Sequence, residues 1–147
     1  MPLLISFVLL FAIMVGCQTD DECETAPFGC VQTAPGKGHL HVQLTINAAN
    51  PSVPVKVFRG DFENNDLVED TVVTGSRISF ELPVDQYYSV VAEYLQADGD
   101  TVFAIDGDDI QVDENDYCEG TCFEVDDGRI DVELAFPKRS VLHRKNP

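Results

Sequence analysis

Between Asp98 and Glu133 the chain carries 14 aspartates and glutamates against one basic residue, Arg129. Acids bunched in this way supply hard oxygen ligands, and calcium is the cation that gathers about six to eight of them. The bunches are ADGD (Asp98, Asp100), DGDD (Asp106, Asp108, Asp109) and DEND (Asp113, Glu114, Asp116). None keeps the EF-hand register, since no glycine falls at the sixth place and no glutamate at the twelfth. Asp-Gly pairs are also ordinary turn formers, because both residues tolerate left-handed backbone. Calcium held by Asp98, Asp100, Asp106, Asp108 and Asp109 is therefore the alternative to plain turns, and no other cofactor is expected. Two carboxylates held about 5 to 10 Å apart in a cleft would also hydrolyse a glycoside. Where acids are everywhere, however, a pair such as Asp106 and Asp109 carries little information. No Gly-x-Ser-x-Gly, His-Glu-x-x-His or glycine-rich phosphate loop is present, and these are the motifs that would mark a nucleophile, a zinc site or a nucleotide. The chain reads as non-enzymatic, with a small hydrolase as the remote alternative. His39 and His41 lie two apart, a spacing that offers two imidazoles from one strand face. Without a third ligand they read as an exposed face.

The five cysteines point to a compartment. In FAIMVGCQTDDEC an apolar run, Leu3 to Gly16, stops at Cys17 and gives way to acid and polar residues. This 14-residue stretch, interrupted only by Ser6, falls short of the roughly 20 that span a bilayer but suits the h-region of an export signal. Met14-Val15-Gly16-Cys17 resembles the lipobox of bacterial lipoproteins, in which the cysteine thiol carries a diacylglycerol and the peptidase cuts before it. That resemblance implies a mature chain beginning at Cys17, anchored to a membrane by its lipid, and exposed at the cell envelope. Gln18, in place of Asp, fits outer-membrane sorting. A plain signal peptide is the competing reading. Either way Cys23, Cys30, Cys118 and Cys122 remain, an even number suited to disulfides in an oxidising compartment. Four cysteines allow three connectivities. The favoured one is local, Cys118 with Cys122 across the CEGTC turn and Cys23 with Cys30. Zinc is disfavoured, because C-x6-C with C-x3-C is not a usual structural spacing.

Charge narrows the partners. With 26 acids against nine Lys and Arg the formal net charge is −17, which repels nucleic acid. A protein or glycan partner is left open. A salt-adapted organism would select the same balance, and that explanation competes with every site built on acids.

The elements that must position these groups are strands. In LHVQLTIN the residues Leu40, Val42, Leu44 and Ile46 alternate with polar ones, the two-residue period of a half-buried strand. RISFEL repeats this with Ile78, Phe80 and Leu82 inward, YYSVVAEY with Tyr88, Val90, Ala92 and Tyr94, and RIDVELAF with Ile130, Val132, Leu134 and Phe136. VPVKVFR, DTVV, TVFAI and CFEV are weaker strands. No long window shows helical spacing, so the fold class is all-β, a single antiparallel sandwich of about seven strands. Residues 1–16 are the signal, 17–38 a lipidated tether, 39–137 the sandwich and 138–147 a basic tail. VPVKVFRG followed by ISFELPVDQYYSVVAEY resembles transthyretin-like sandwiches, such as carboxypeptidase regulatory-like domains and collagen-adhesin B-type repeats. The resemblance spans Leu40 to Phe136 and implies a spacer, adhesion part or accessory binding unit. Immunoglobulin-like topology is the alternative. Adhesin repeats often cross-link a strand lysine, and Lys56 is the candidate here, read as a solvated side chain. Exposed aromatic platforms for a glycan or peptide would come from Tyr87, Phe103 and Tyr117.

Overall fold

The computed structural model describes residues 24–134. Cys17, Cys23, the apolar run, Phe136 and the basic tail lie outside the described residues. Eight strands follow in order: β1 (Lys37–Gln43), β2 (Val53–Arg59), β3 (Leu67–Val73), β4 (Arg77–Pro83), β5 (Gln86–Leu95), β6 (Thr101–Tyr117), β7 (Gly120–Asp126) and β8 (Gly128–Asp131). One short 3-10 turn, Phe62–Asn64, interrupts the β2–β3 connection.

The strands form two sheets, β4-β1-β8 and β3-β2-β5-β6-β7. Every pairing is antiparallel except β1 with β8, which run parallel. In an immunoglobulin sandwich the first two strands are neighbours in one sheet. Here they lie in different sheets, so the immunoglobulin alternative does not describe this chain.

The alternation read in the sequence sets which face is buried. Leu40, Val42, Val53, Val55, Val57, Tyr88, Val90, Ala92, Tyr94 and Ile110 have no exposed surface, and together with Phe80, Leu82, Ile130 and Val132 they fill one core between the sheets. At about 25 cal/mol per Å² this burial is the main force holding the layers together. β8 ends at Asp131, yet the inward period continues. Val132 stays buried, its N–H donating to the Gln43 carbonyl at 3.1 Å, and Leu134 N–H donates to the Thr45 hydroxyl at 2.9 Å.

Among the described residues every buried side-chain donor and acceptor has a hydrogen-bond partner, as buried polar groups must. Tyr94 Oη donates to the Val132 carbonyl at 2.7 Å and accepts the Thr45 N–H at 3.1 Å, so one hydroxyl of the large sheet joins two segments of the small one. Tyr88 Oη donates to the Pro83 carbonyl at 2.9 Å, pinning the corner where the chain leaves β4 for β5 in the other sheet. Asn50, buried in the β1–β2 connection, accepts the Leu95 N–H at 2.8 Å and donates to the Leu95 carbonyl at 3.1 Å. Its side chain thereby stands in for one more strand residue. At the opposite end the sheets approach closely. A Cβ on Gly128 would stand 2.7 Å from Leu40 Cδ1, and one on Gly38 would stand 2.5 Å from Ile110 Cγ2. Only glycine lets β1 and β8 pass beneath β6 there.

The local disulfide expectation is corrected. Cys30 is bonded to Cys122, 92 residues away, with a Cα–Cα distance of 5.3 Å. Cys118 is disulfide-bonded too, but not to Cys122. Cys122 lies beyond the tight turn, paired with Asn115 on β6, and strand rise of about 3.3 Å per residue carries it away from the turn. A bridge between Val31 and Phe123 sets Cys30 beside it instead. Ala26 N–H also donates to the Glu119 carboxylate at 3.0 Å, and Cys118 N–H to the Glu24 carbonyl at 3.0 Å. The segment read as tether is thus fastened along the β6–β7 hairpin from Glu24 to Val31.

Burial raises the Tyr94 hydroxyl above its ordinary value of 10.0, helped by Glu133 and Asp131 and opposed by the Thr45 N–H; burial likewise raises Tyr88, with Arg59 opposing. Below about pH 10 both hydroxyls are protonated whether the chain is folded or not, so their contribution is fully present. Above it the unfolded chain ionises first, and stability falls as pH rises toward the folded values. Tyr94→Phe should therefore lose about 1–3 kcal/mol in urea melts at neutral pH, having orphaned two backbone groups. It should also decline less steeply than wild type above pH 10.

Candidate functional site

The acidic bunches do not converge. Asp98 Oδ1 accepts the Asp100 N–H at 3.1 Å, closing the β5–β6 turn around Gly99. Asp106 and Asp108 point inward from β6, half-buried, whereas Asp109 faces outward opposite Tyr87. Asp109 contacts the Gln111 side-chain amide. The five residues read as calcium ligands therefore occupy three separate places. Asp106 and Asp109, the pair weighed for glycoside chemistry, lie on opposite faces of one sheet.

The inward aspartates have a different partner. Asp108 Oδ2 accepts the Arg129 N–H at 2.7 Å and Asp106 Oδ2 accepts the Asp131 N–H at 2.9 Å. Both donors belong to β8, the edge strand of the small sheet. A strand edge exposes a row of unpaired N–H groups, which natural sheets must cover. Here carboxylates of one sheet cover the edge of the other. Asp127 extends the pattern, accepting the His39 N–H at 2.7 Å. Asp116 accepts the Thr121 hydroxyl at 2.8 Å across the β6–β7 hairpin. Among the described residues, no group of three or more His, Cys, Asp or Glu side chains is placed to hold a metal ion.

The most distinctive chemistry lies on the outer face of the small sheet. Odd-numbered residues of β1, β4 and β8 point outward there. They bring together Lys37, His39, His41 and Gln43 from β1, Arg77, Ser79 and Glu81 from β4, and Arg129 and Asp131 from β8. Of the five Lys and Arg among residues 24–134, three are on this face. His39 and His41 stack with ring centroids 5.9 Å apart and planes within 9°. Asp127 lies 3.8 Å from His39 Nδ1 and 3.6 Å from His41 Nε2. Lys37 meets Glu81 at 3.5 Å. The histidine pair is on one exposed face, as its spacing implies, and its neighbour Asp127 was not foreseen.

A shallow groove of about 500 Å³ runs along this face beside the histidines, lined by His41, Gln43, Arg77, Ser79 and Arg129. His41 is opposite Arg129 on one side and Ser79 on the other, and Gln43 is opposite Arg77. The two guanidiniums flank β1 from either neighbour. By strand spacing their Cα atoms are roughly 12 Å apart, within reach of a common ligand. Neither guanidinium is in an ion pair among the described residues, whereas Lys37 and Arg59 are. Two uncommitted guanidiniums with an imidazole, a hydroxyl and an amide suit a carboxylate, sulfate or phosphate group. Sequence reasoning missed this groove, because Arg77 and Arg129 are 52 residues apart and only the pairing of β4 and β8 on either side of β1 assembles it. The alternation of RISFEL and RIDVEL, each opening on an outward arginine, was the available signal.

Of the aromatic platforms, Tyr87 and Phe103 are exposed and Tyr117 is half-buried. Lys56 is exposed on the large sheet, opposite Asp70 and Val91, as a solvated lysine would be. No protein-family model, curated protein or solved structure matches the chain.

Replacing both edge-sealing carboxylates, Asp106→Ala with Asp108→Ala, should cost about 2 kcal/mol, a charge-assisted bond each discounted for partial exposure. Asn at either position keeps an acceptor oxygen and should recover much of it. Millimolar calcium should leave the wild-type melting temperature unchanged, and a calcium-dependent rise would restore the acids as ligands.

Proposed function

We propose that this chain is a lipid-anchored, extracytoplasmic binding module of the cell envelope, without catalytic activity, and that it holds an anionic group of a glycan in the groove on its small sheet. The observation that carries the binding reading is the pair Arg77 and Arg129, without an ion pair among the described residues, beside His41 on a chain rich in acids. A protein of net charge −17 gains nothing in solubility from two unneutralised guanidiniums on one face, and a carboxylate or sulfate would satisfy them. A glycan is favoured over a peptide strand because the groove lies across a sheet face, whereas a peptide strand adds along a sheet edge.

The compartment is supported by the cross-link between Cys30 and Cys122 and by the bonded state of Cys118, since such bonds persist in oxidising surroundings. The lipid on Cys17 rests on the lipobox resemblance. A transthyretin-like identity rests on the sequence pattern, and a spacer or accessory role suits a stable body with its functional face on the small sheet. The calcium-dependent adhesion reading is weakened by the dispersal of Asp98, Asp106 and Asp109 over three places.

Two measurements test this. Cells fed labelled palmitate should incorporate it into the wild-type chain and not into Cys17→Ser; equal or absent labelling removes the anchor. Oligogalacturonate should bind and neutral galacto-oligosaccharide should not, with Arg77→Gln plus Arg129→Gln weakening binding at least 30-fold, as two charge-assisted contacts imply. Equal affinity of the double variant would remove the groove from the account.

A further inference from the structure

The large sheet carries apolar side chains on both faces, on the outer one around the charged Lys56, Asp70 and Glu93. Its inner face is the core. On its outer face Phe62, Leu67, Val72, Leu95, Phe103 and Ile105 are between 37% and 61% exposed. Register makes them contiguous: Val72 is opposite Pro54, Val91 opposite Ile105, and Leu95 diagonal to Phe103. Phe62, from the 3-10 turn, shares with Phe58, Phe103 and Ile105 a hollow of about 400 Å³. An antiparallel sheet that faces water on one side ordinarily alternates apolar with polar residues. This one departs from that pattern across four strands.

We propose that this face is a twofold interface with a second copy of the chain. The six side chains expose roughly 600 Å², at the top of the range for patches on monomers. Two such faces bury about 1,200 Å², the lower bound of a stable specific interface. On this face one pair of charges is self-complementary, with the exposed Asp70 of β3 beside Lys56. Lys56 and Glu93 lie diagonally across β2 and β5, near its centre. A twofold axis lying between the two faces, perpendicular to the Lys56–Glu93 line and passing over its midpoint, sets each copy's Lys56 over the other copy's Glu93. The rest of the molecule opposes association, because each copy carries a net charge of −17. Apolar contact must overcome that repulsion, and salt screens the repulsion. Dimerisation therefore strengthens as salt rises, opposite to the behaviour of a contact held by ion pairs. The groove with Arg77 and Arg129 lies on the other sheet and stays open in the dimer.

The test uses the mature chain, residues 17–147 with Cys17→Ser, so that neither an acyl group nor the apolar run of the signal drives association. Sedimentation equilibrium over about 1–100 μM protein should give twice the monomer mass, with the dissociation constant falling at least threefold between 50 and 500 mM NaCl. Phe103→Lys with Ile105→Lys should yield monomer with an unchanged melting temperature, both positions being exposed. Lys56→Glu and Glu93→Lys should each weaken the dimer, and the two together should restore it. A monomer at every concentration overturns the proposal, as does a dimer that survives the double lysine variant. A monomer that instead binds phosphatidylglycerol–phosphatidylcholine vesicles through Phe103 and Ile105 assigns the face to the membrane and overturns it equally.

Discussion

Two aspartates turned inward from the large sheet cover the edge of the small one, and that contact fixes how the two layers meet at β8. A three-stranded sheet with β8 at its margin would present unpaired N–H groups. Asp106 and Asp108 accept two of them, from Asp131 and Arg129. The same β6 strand pairs with β5 through its first half and with β7 through its second. One 17-residue strand therefore spans the large sheet, closes the small one and carries the hairpin that anchors the N-terminal segment. Charged groups pointing inward at a sheet margin also discourage foreign strands from adding there. The acidity of β6 thus has a structural reason at the positions where a metal or catalytic role was first considered.

The apolar core and the polar pins divide the remaining work. Alternating aliphatic residues supply most of the free energy, without direction. Direction comes from a few satisfied polar groups: the Tyr94 hydroxyl between Thr45 and Val132, the Tyr88 hydroxyl on Pro83, and Asn50 on Leu95. Each joins segments that belong to different sheets or to a strand and a connection. Buried hydrogen bonds of this kind fix one arrangement among the many that hydrophobic burial would tolerate. The cross-link from Cys30 to Cys122 adds a constraint on the unfolded chain, since it closes a loop containing most of the body.

The two outer faces of the sandwich differ in kind. The small sheet presents arginines, histidines and a hydroxyl around a shallow groove, on a protein that is otherwise a polyanion. The large sheet presents phenylalanines and aliphatics. Were the apolar face to self-associate and the arginine groove to hold a ligand, as proposed above, two ligand sites would be gathered in one assembly. Pairing two grooves in that way raises the effective concentration of each for a multivalent glycan.

What the sequence determined by itself was whatever depends on period and composition. Leu40, Val42 and Leu44, or Tyr88 through Tyr94 in steps of two, announce which side of a strand is buried, because a strand repeats every two residues regardless of its neighbours. The net charge and the outward placement of His39 and His41 follow in the same way. What only the tertiary structure decided was every relation between distant positions. The partner of Cys122, the use of Asp106 and Asp108 as edge seals, the meeting of Arg77 with Arg129 and the exposed apolar sheet face all depend on which strands became neighbours. Alternation is indifferent to strand order: an inward aspartate and an outward one read alike until the opposite sheet is in place. Local spacing favoured the four-residue Cys118–Cys122 link, whereas the bridge from Val31 to Phe123 brought Cys30 closer. Proximity in a folded sheet is set by pairing register, and the register of eight strands is a property of the whole chain.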